Sequence, residues 1–373
     1  MSKETIFTQF FYRENENNKV ILHNGFSHVI DECKNIGDLV WVNLDTKLSI
    51  KEGVVYSSAF TIGEVFTVFD WGYDNPDTQF IVGGPALFEF FRYVGKPTNV
   101  EFRTGSAEKE IFGLVSRNKK WEITVPKKTL DEIFLFSFMI ENYCYWGKCI
   151  FCGPRYKDQD MFFNTIDNLK LSSDKKWRAF LVTSSADSKT LNDFPSLLEK
   201  NVDSCATYIR ADKQTYNTLK SVLPNLPHGF CSFLVGVEFP SNRMLKLIQK
   251  GVTVEDFYLL FDLLDKYGMV YTITLLVNWN ILTSGDIKDL DSFLSSKKSF
   301  RISLNYLKCN KICSDELASI NGSLVEEKIV LRKGLYEVRT HEPVLGLEQK
   351  ELNEEAVKII KEKGFIVGPS RKH

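Results

Sequence analysis

The chain has 373 residues, 43% hydrophobic and 25% charged, which predicts a folded, soluble protein of two or three domains. Its 47 basic and 48 acidic residues nearly cancel, so no electrostatic footprint for nucleic acid or an anionic membrane stands out, and the basic runs Arg117-Asn118-Lys119-Lys120 and Ser370-Arg371-Lys372-His373 read as solvated surface. Met1 to Asn15 lacks a secretory pattern, and the longest apolar runs, around Ile273 to Val277, fall far short of the ~20 residues of a spanning helix. A cytoplasmic location is expected, where eight cysteines argue for metal or redox use over a disulfide framework.

In chain order, the first fifteen residues read as an arm or a small strand. Val20 to His23 predicts a strand, Ser27 to Lys34 a helix, and Asp38 to Leu44 a strand apolar enough to be buried on both faces of a parallel sheet. A helix over Thr61 to Trp71 and a turn at Asn75 to Gln79 lead into Phe80-Ile81-Val82-Gly83-Gly84-Pro85. A buried strand ending in two glycines and a proline suits either a close ligand approach at a strand's carboxyl end or a tight strand-to-helix turn without a ligand. Next come a helix over Ala86 to Val94, short strands at Asn99 to Arg103 and Trp121 to Val125, and a linker at Pro126-Lys127-Lys128.

Beyond the linker, strands and helices alternate. Strands are predicted at Phe134 to Tyr143, Ala179 to Thr183, Cys205 to Arg210, Phe230 to Glu238, Val270 to Trp279 and Phe300 to Leu307. Helices between them include Phe194 to Lys200, Asn242 to Gln249, Val254 to Tyr267 and Ile287 to Leu294. Six such repeats make an open or partial barrel, whose functional residues belong at strand carboxyl ends. The tail carries strands at Lys328 to Arg332 and Leu335 to Thr340 and a helix from Glu351 to Lys363 stopped by Gly364; it is expected to pack against the barrel or close its mouth.

The chemistry centres on Tyr143-Cys144-Tyr145-Trp146-Gly147-Lys148-Cys149-Ile150-Phe151-Cys152-Gly153, where three cysteines spaced Cys-x4-Cys-x2-Cys follow the first strand of the alternating region. A closed zinc or iron–sulfur site uses four ligands, so three thiols suggest a cluster with one open coordination position. Cys205 and Cys231 begin their strands and read as core, as does Cys33 in a helix. Cys309 and Cys313 follow the sixth strand and are too few for a second four-cysteine cluster. The five histidines show no ligand spacing.

The cysteine loop, with Phe151 before its last cysteine, resembles the cluster loop of radical S-adenosylmethionine enzymes. Gly236-Val237-Glu238-Phe239-Pro240-Ser241, continued by Leu245-Lys246-Leu247-Ile248-Gln249-Lys250-Gly251, is similar to the fourth strand and helix of that superfamily, and the resemblance covers about residues 130–308. The first cysteine gap is one residue longer than the common Cys-x3-Cys-x2-Cys. Such gaps with a Cys-Tyr-Trp-Gly opening are similar to the branch that matures ribosomally made peptides. The N-terminal strands, with Asp77-Thr78-Gln79-Phe80-Ile81-Val82-Gly83-Gly84-Pro85, resemble a cobalamin-binding Rossmann domain.

The resemblance implies an α/β chain with a Rossmann-like domain at residues 1–126, a partial (β/α)6 barrel at 127–308 and a small α+β extension at 309–373. It implies a four-iron four-sulfur cluster held by Cys144, Cys149 and Cys152, its free iron taken by the amino and carboxylate groups of S-adenosylmethionine. Reductive cleavage then yields a 5'-deoxyadenosyl radical that abstracts hydrogen from an unactivated carbon, the cofactor carrying the hard chemistry. Phe151 would pack near the adenine, and Glu238 would contact the ribose or amino groups. Ser184 and Asn278 fall where the methionine amino group and the adenine are bound. Arg210 would pair with the methionine carboxylate, or else form a surface ion pair with an acid such as Asp212. Gly83, Gly84 and Pro85 would face cobalamin. The implied activity is methylation of a peptide or natural-product carbon, served by an electron donor such as flavodoxin or ferredoxin. Two rivals stay open: a radical enzyme without cobalamin performing cyclisation, epimerisation or crosslinking, and a non-catalytic scaffold around structural zinc.

Overall fold

The structure, a computed structural model, describes residues 4–14, 19–22, 33, 35–59, 62–84, 92–103, 111, 121–123, 133–140, 144–152, 166–171, 176–297, 300–307, 325–332 and 336–366. Its strands are β1 (Glu4–Glu14), β2 (Lys19–Leu22), β3 (Asp38–Val42), β4 (Gly53–Ser58), β5 (Thr78–Gly83), β6 (Arg92–Val94), β7 (Val100–Phe102), β8 (Trp121–Ile123), β9 (Ile133–Met139), β10 (Leu169–Leu171), β11 (Trp177–Val182), β12 (Val202–Ile209), β13 (Cys231–Glu238), β14 (Val270–Val277), β15 (Phe300–Tyr306), β16 (Val325–Arg332), β17 (Tyr336–Pro343) and β18 (Gly364–Ile366). The helices are α1 (Ile62–Asp74), α2 (Ser188–Asn192), α3 (Phe194–Glu199), α4 (Lys213–Val222), α5 (Asn242–Leu247), α6 (Val254–Lys266), α7 (Ser284–Ser295) and α8 (Leu347–Lys363).

One sheet runs through both halves of the chain, in the order β18-β15-β14-β13-β12-β11-β9-β2-β1-β4-β5-β7, with β3 also on β1. Its N-terminal strands β3, β1, β4, β5 and β7 are parallel and enclose a core of Phe10, Val55, Phe69, Trp71, Phe80 and their neighbours. The segment expected as an arm or a small strand is an 11-residue interior strand of this sheet: Ile6 pairs with both Asp38 and Val55. Farther along, β1 turns from these partners to an antiparallel pairing with β2, which pairs in parallel with β9. The strand expected at Val20 to His23 thus bridges the halves, and it ends at Leu22.

The alternating region forms as its pattern predicts. Strands β9, β11, β12, β13, β14 and β15 pair in parallel and in chain order, with helices between successive strands from β11 onward. Local chemistry marks the helix starts: Thr253 with Asp256 and Thr283 with Asp286 form reciprocal capping boxes at α6 and α7. Aromatic packing fills this second core; Phe261 stacks on Tyr271 at 4.8 Å and Phe293 on Phe300 at 5.2 Å. Cys205 and Cys231 are buried neighbours across β12 and β13, their sulfurs 3.6 Å apart, and Cys33 is buried and helical, all as the core reading expects.

Several elements differ from expectation: β4 and β10 were not expected, and β3, expected to be buried on both faces, is only partly buried. Arg92 to Val94 ends no helix; it is a strand that pairs with β17 in a three-stranded sheet with β16. The tail thus divides, β16 and β17 joining β6, while α8 and the parallel strand β18 extend the β15 edge. The linker at Pro126-Lys127-Lys128, most of Ser27 to Lys34, Ala86 to Phe91, both basic runs, Cys309 and Cys313 lie outside the described residues. Among the described residues no helix is long and apolar enough to cross a membrane.

Candidate functional site

The cysteine loop follows β9 and rests on the segments that follow β12 and β13. Tyr145 donates its phenol to Asp212 Oδ2 at 2.6 Å and lies 3.0 Å from Thr215 Oγ1. Asp212 is also the N-cap of α4, accepting from the Thr215 amide at 2.9 Å. Burial raises the Tyr145 phenol well above its ordinary range, and its bond to Asp212 adds to the rise. Burial opposes ionisation of Asp212, but the bonds from Thr215 and Tyr145 and the charge of Arg210 outweigh it and hold the carboxyl below its ordinary value.

Trp146 anchors the other side. Its indole N–H donates to the Gln249 carbonyl at 2.8 Å, and its ring lies against Gly251, which has a left-handed φ of +71°. Two cations face this ring, the Lys148 ammonium at 4.8 Å and the Arg210 guanidinium at 4.9 Å from its centre. The Ile150 amide then bonds to the Ile248 carbonyl at 3.2 Å, joining the loop to the end of α5. The Cys-Tyr-Trp-Gly opening pointed to a family; its role as a two-sided anchor needed tertiary partners to become visible.

At the carboxyl end of β13 the pairing with β14 shifts register between Gly236 and Glu238, and Glu238 takes φ +65°. Such an irregularity re-aims a side chain, and a non-glycine residue in this region signals local strain. Glu238 is 8% exposed. Its Oε1 accepts from the ammonium of Lys250, itself 7% exposed, at 2.6 Å. Lys250 was quoted in the sequence motif without a role. Its ammonium lies 5.8 Å from the centre of the Phe151 ring, and Phe151 meets Trp279 edge-on at 5.8 Å.

Arg210 follows β12 and is 4% exposed. Its Nε bonds to Asp212 at 3.2 Å, one terminal nitrogen donates to the Lys250 carbonyl, and the other lies 3.9 Å from the Cys149 sulfur. The expected Asp212 pair is present, with Arg210 buried and Asp212 half-buried. Asn278 follows β14 with φ +74°, a conformation asparagine tolerates. Its backbone N–H and that of Trp279 donate to Asn353 Oδ1 of α8 at 2.7 and 3.0 Å, and Asn353 returns a bond to the Trp279 carbonyl at 2.6 Å. Gln349, one turn earlier, bonds both the N–H and the carbonyl of Leu282 at 3.0 Å. Asn353 and Gln349 lie far from every motif, and their sequence gave no signal. Ser184 lies two residues beyond β11.

The three cysteines share one loop, Cys149 buried and Cys144 and Cys152 half-buried. Among the described residues no group of three acidic, histidine or cysteine side chains is placed to hold a metal ion. Three cysteine thiols on one loop are the donor type that a four-iron cluster would take. Burial raises the Cys149 thiol and pushes Cys152 up to about 12. The positive charges of Lys250 and Arg210 act in the other direction on Cys149, favouring its thiolate.

In the N-terminal sheet, Gly84 has φ +102° and a Cβ there would lie 2.5 Å from the Ala59 carbonyl, so backbone packing alone requires glycine. At Gly83 the nearest atom to such a Cβ is the Arg103 carbonyl, an ordinary contact at 3.4 Å. Pro85 lies outside the described residues.

No family model and no curated protein matches the chain. Solved structures do. The radical S-adenosylmethionine methyltransferase TsrM from Kitasatospora setae, with tryptophan substrate and aza-SAM bound, is similar at a TM-score of 0.64 and 9% identity over 99% of this chain and 92% of that one. TsrM with cobalamin and its four-iron four-sulfur cluster bound gives 0.61 and 12% over 100% and 92%. The cobalamin-dependent S-adenosylmethionine radical enzyme OxsB, with aqua-cobalamin and S-adenosylmethionine bound, gives 0.54 and 12%, covering 86% of this chain and 55% of that one. The chain thus spans little more than half the length of OxsB. It is a mixed α/β protein whose parallel-sheet fold is similar to those of these solved structures.

Proposed function

We propose that the chain is a radical S-adenosylmethionine enzyme that holds a four-iron four-sulfur cluster on Cys144, Cys149 and Cys152 and methylates an unactivated carbon of a peptide or small natural product with cobalamin as methyl carrier. The observation carrying this reading is the seating of the three-cysteine loop on the Glu238–Gly251 segment, through Trp146, Ile150 and the Arg210–Lys250 contact. The two sequence motifs that resemble the superfamily thereby meet in space. When bound, the cluster and S-adenosylmethionine supply one-electron cleavage and a carbon radical, and cobalamin supplies the methyl group.

The chain's own residues bind, orient and exclude water. Tyr145 and Trp146 fix the loop against two neighbouring segments. Lys250 and Arg210 set positive charge beside thiolates in a poorly hydrated place, where charges act strongly. Phe151 and Trp279 form an apolar wall beside the loop. Glu238 offers a buried carboxylate to an ammonium or a ribose hydroxyl. For cobalamin, the carboxyl ends of β4 and β5 are the receiving edge that open parallel sheets provide, with Gly83 the uncrowded position there. A small reductant of the flavodoxin or ferredoxin type would supply electrons in a cytoplasmic setting.

Anaerobically reconstituted protein, assayed for iron, cobalt and zinc and then incubated with S-adenosylmethionine and dithionite, tests the reading. About four irons per chain, with 5'-deoxyadenosine formed, is the expected result. Retained cobalamin together with S-adenosylhomocysteine supports methyl transfer. Iron and cleavage without any corrinoid would sink the methylation part, and zinc without iron or cleavage would sink the whole.

A further inference from the structure

The sequence resemblance sets Arg210 against the carboxylate of a bound ligand. In the structure its guanidinium is buried, and its three nitrogens face three separate acceptors: Asp212, the Lys250 carbonyl and the sulfur of Cys149. Each edge of the fork already has a nitrogen engaged, so neither is free for two-point recognition of a carboxylate. We infer that Arg210 serves the cluster itself: by holding an N–H against the Cys149 sulfur it raises the reduction potential of the four-iron cluster. This rests on the proposal that Cys149 is a cluster ligand.

The guanidinium is fixed by groups that are themselves fixed. Its Nε donates to Asp212 Oδ2 at 3.2 Å, and Asp212 is held in turn by the Thr215 amide at 2.9 Å and the Tyr145 phenol at 2.6 Å. One terminal nitrogen donates to the carbonyl of Lys250, a residue whose own amide bonds to the Leu245 carbonyl at 2.9 Å. A planar fork held at two of its nitrogens has its third direction set, and here the third nitrogen lies 3.9 Å from Cys149 Sγ. Trp146, three residues before Cys149 on the same loop, covers the guanidinium face at 4.9 Å. Arginine and cysteine loop are therefore locked to each other.

The potential of an iron–sulfur cluster follows its net charge, the hydrogen bonds to its sulfurs and its exposure to solvent. An added electron puts more negative charge on the irons and their thiolates, so a donor held at one sulfur stabilises the reduced form more than the oxidised one. Cys149 and Arg210 are both buried, so water screens the interaction little. Asp212 offsets part of the guanidinium's charge from the Nε side, but it does not redirect the N–H that faces the sulfur.

The test is a redox titration of the reconstituted cluster, read by electron paramagnetic resonance of its reduced form. It is run without S-adenosylmethionine, so that ligand binding contributes nothing, on wild type, Arg210→Gln and Arg210→Lys at matched iron content. At the wild-type midpoint, Arg210→Gln should show a ratio of reduced to oxidised cluster about tenfold lower, equivalent to a midpoint ~59 mV lower for one electron. Arg210→Lys keeps the charge and loses the fork, so its midpoint should fall between the two. The direction separates tuning from support of the loop: a loosened loop admits water, which stabilises the more charged reduced form and raises the midpoint. An unchanged or raised midpoint in Arg210→Gln would overturn the inference. If that variant takes up no iron, Arg210→Lys decides, a lowered midpoint supporting the inference and any other overturning it. Failure of both variants to take up iron would make Arg210 a support of the loop and would also overturn it. In each of these cases a wild type that holds iron and forms 5'-deoxyadenosine leaves the functional reading standing, whereas a wild type that takes up no iron would overturn both.

Discussion

The indole of Trp146 occupies the space that a side chain on Gly251 would take: a Cβ built on Gly251 would lie 2.0 Å from the ring's Cζ2. The cysteine loop and the turn after α5 thus fit only because one carries a large ring and the other has no side chain. Gly251→Ala should cost about 1–2 kcal/mol from its left-handed backbone alone, and more from displacing the ring. Iron content after reconstitution should fall with it. Full iron loading with an unshifted unfolding midpoint would show that the contact does not hold the loop.

The ligand assignment separates the cysteines into two groups. Alanine at Cys144, Cys149 or Cys152 should abolish the visible absorbance of the reconstituted cluster. Alanine at Cys205, buried within β12 beside Cys231, should leave iron content unchanged and cost about 1–2 kcal/mol of stability. Loss of iron in Cys205→Ala with the fold intact would contradict this division.

Asn353 uses both ends of its amide to hold Asn278 and Trp279, and the wall formed with Phe151 depends on where they sit. Asn353→Ala leaves two backbone N–H groups and one carbonyl without their partner and should destabilise the protein by about 2–4 kcal/mol in urea unfolding. An effect below 0.5 kcal/mol, as is usual for exposed substitutions, would show that the α8 contact is incidental.

Asp286 predicts a pH dependence. Burial alone would raise its carboxyl, but bonds from Arg243, Ser241 and Thr283 outweigh burial and hold it below the ordinary value. A depressed folded value means the stabilisation is complete above the unfolded value, near 3.9, and is lost as pH falls through the folded one. Asp286→Asn should therefore be destabilised by about 2–3 kcal/mol at pH 7, and the gap to wild type should narrow below about pH 4. A gap that stays constant from pH 7 to pH 3 would exclude the carboxylate as its source.

The sequence by itself determined the alternating strands and helices from β11 to β15, because apolar runs and caps such as Thr253 and Thr283 act within a few residues. It also determined the spacing of Cys144, Cys149 and Cys152 on one loop, and the placement of Glu238 at a strand's carboxyl end. Only the tertiary structure decided that Glu4–Glu14 is an interior strand, that Arg92–Val94 pairs with Tyr336–Pro343, and that Glu238 is buried against Lys250. It alone decided that Asn353 holds the end of β14 and that Arg210 is engaged inside the loop's support. Each of these depends on a partner brought close by folding, and a backbone or side chain whose hydrogen bonds are met far along the chain leaves no local pattern to read.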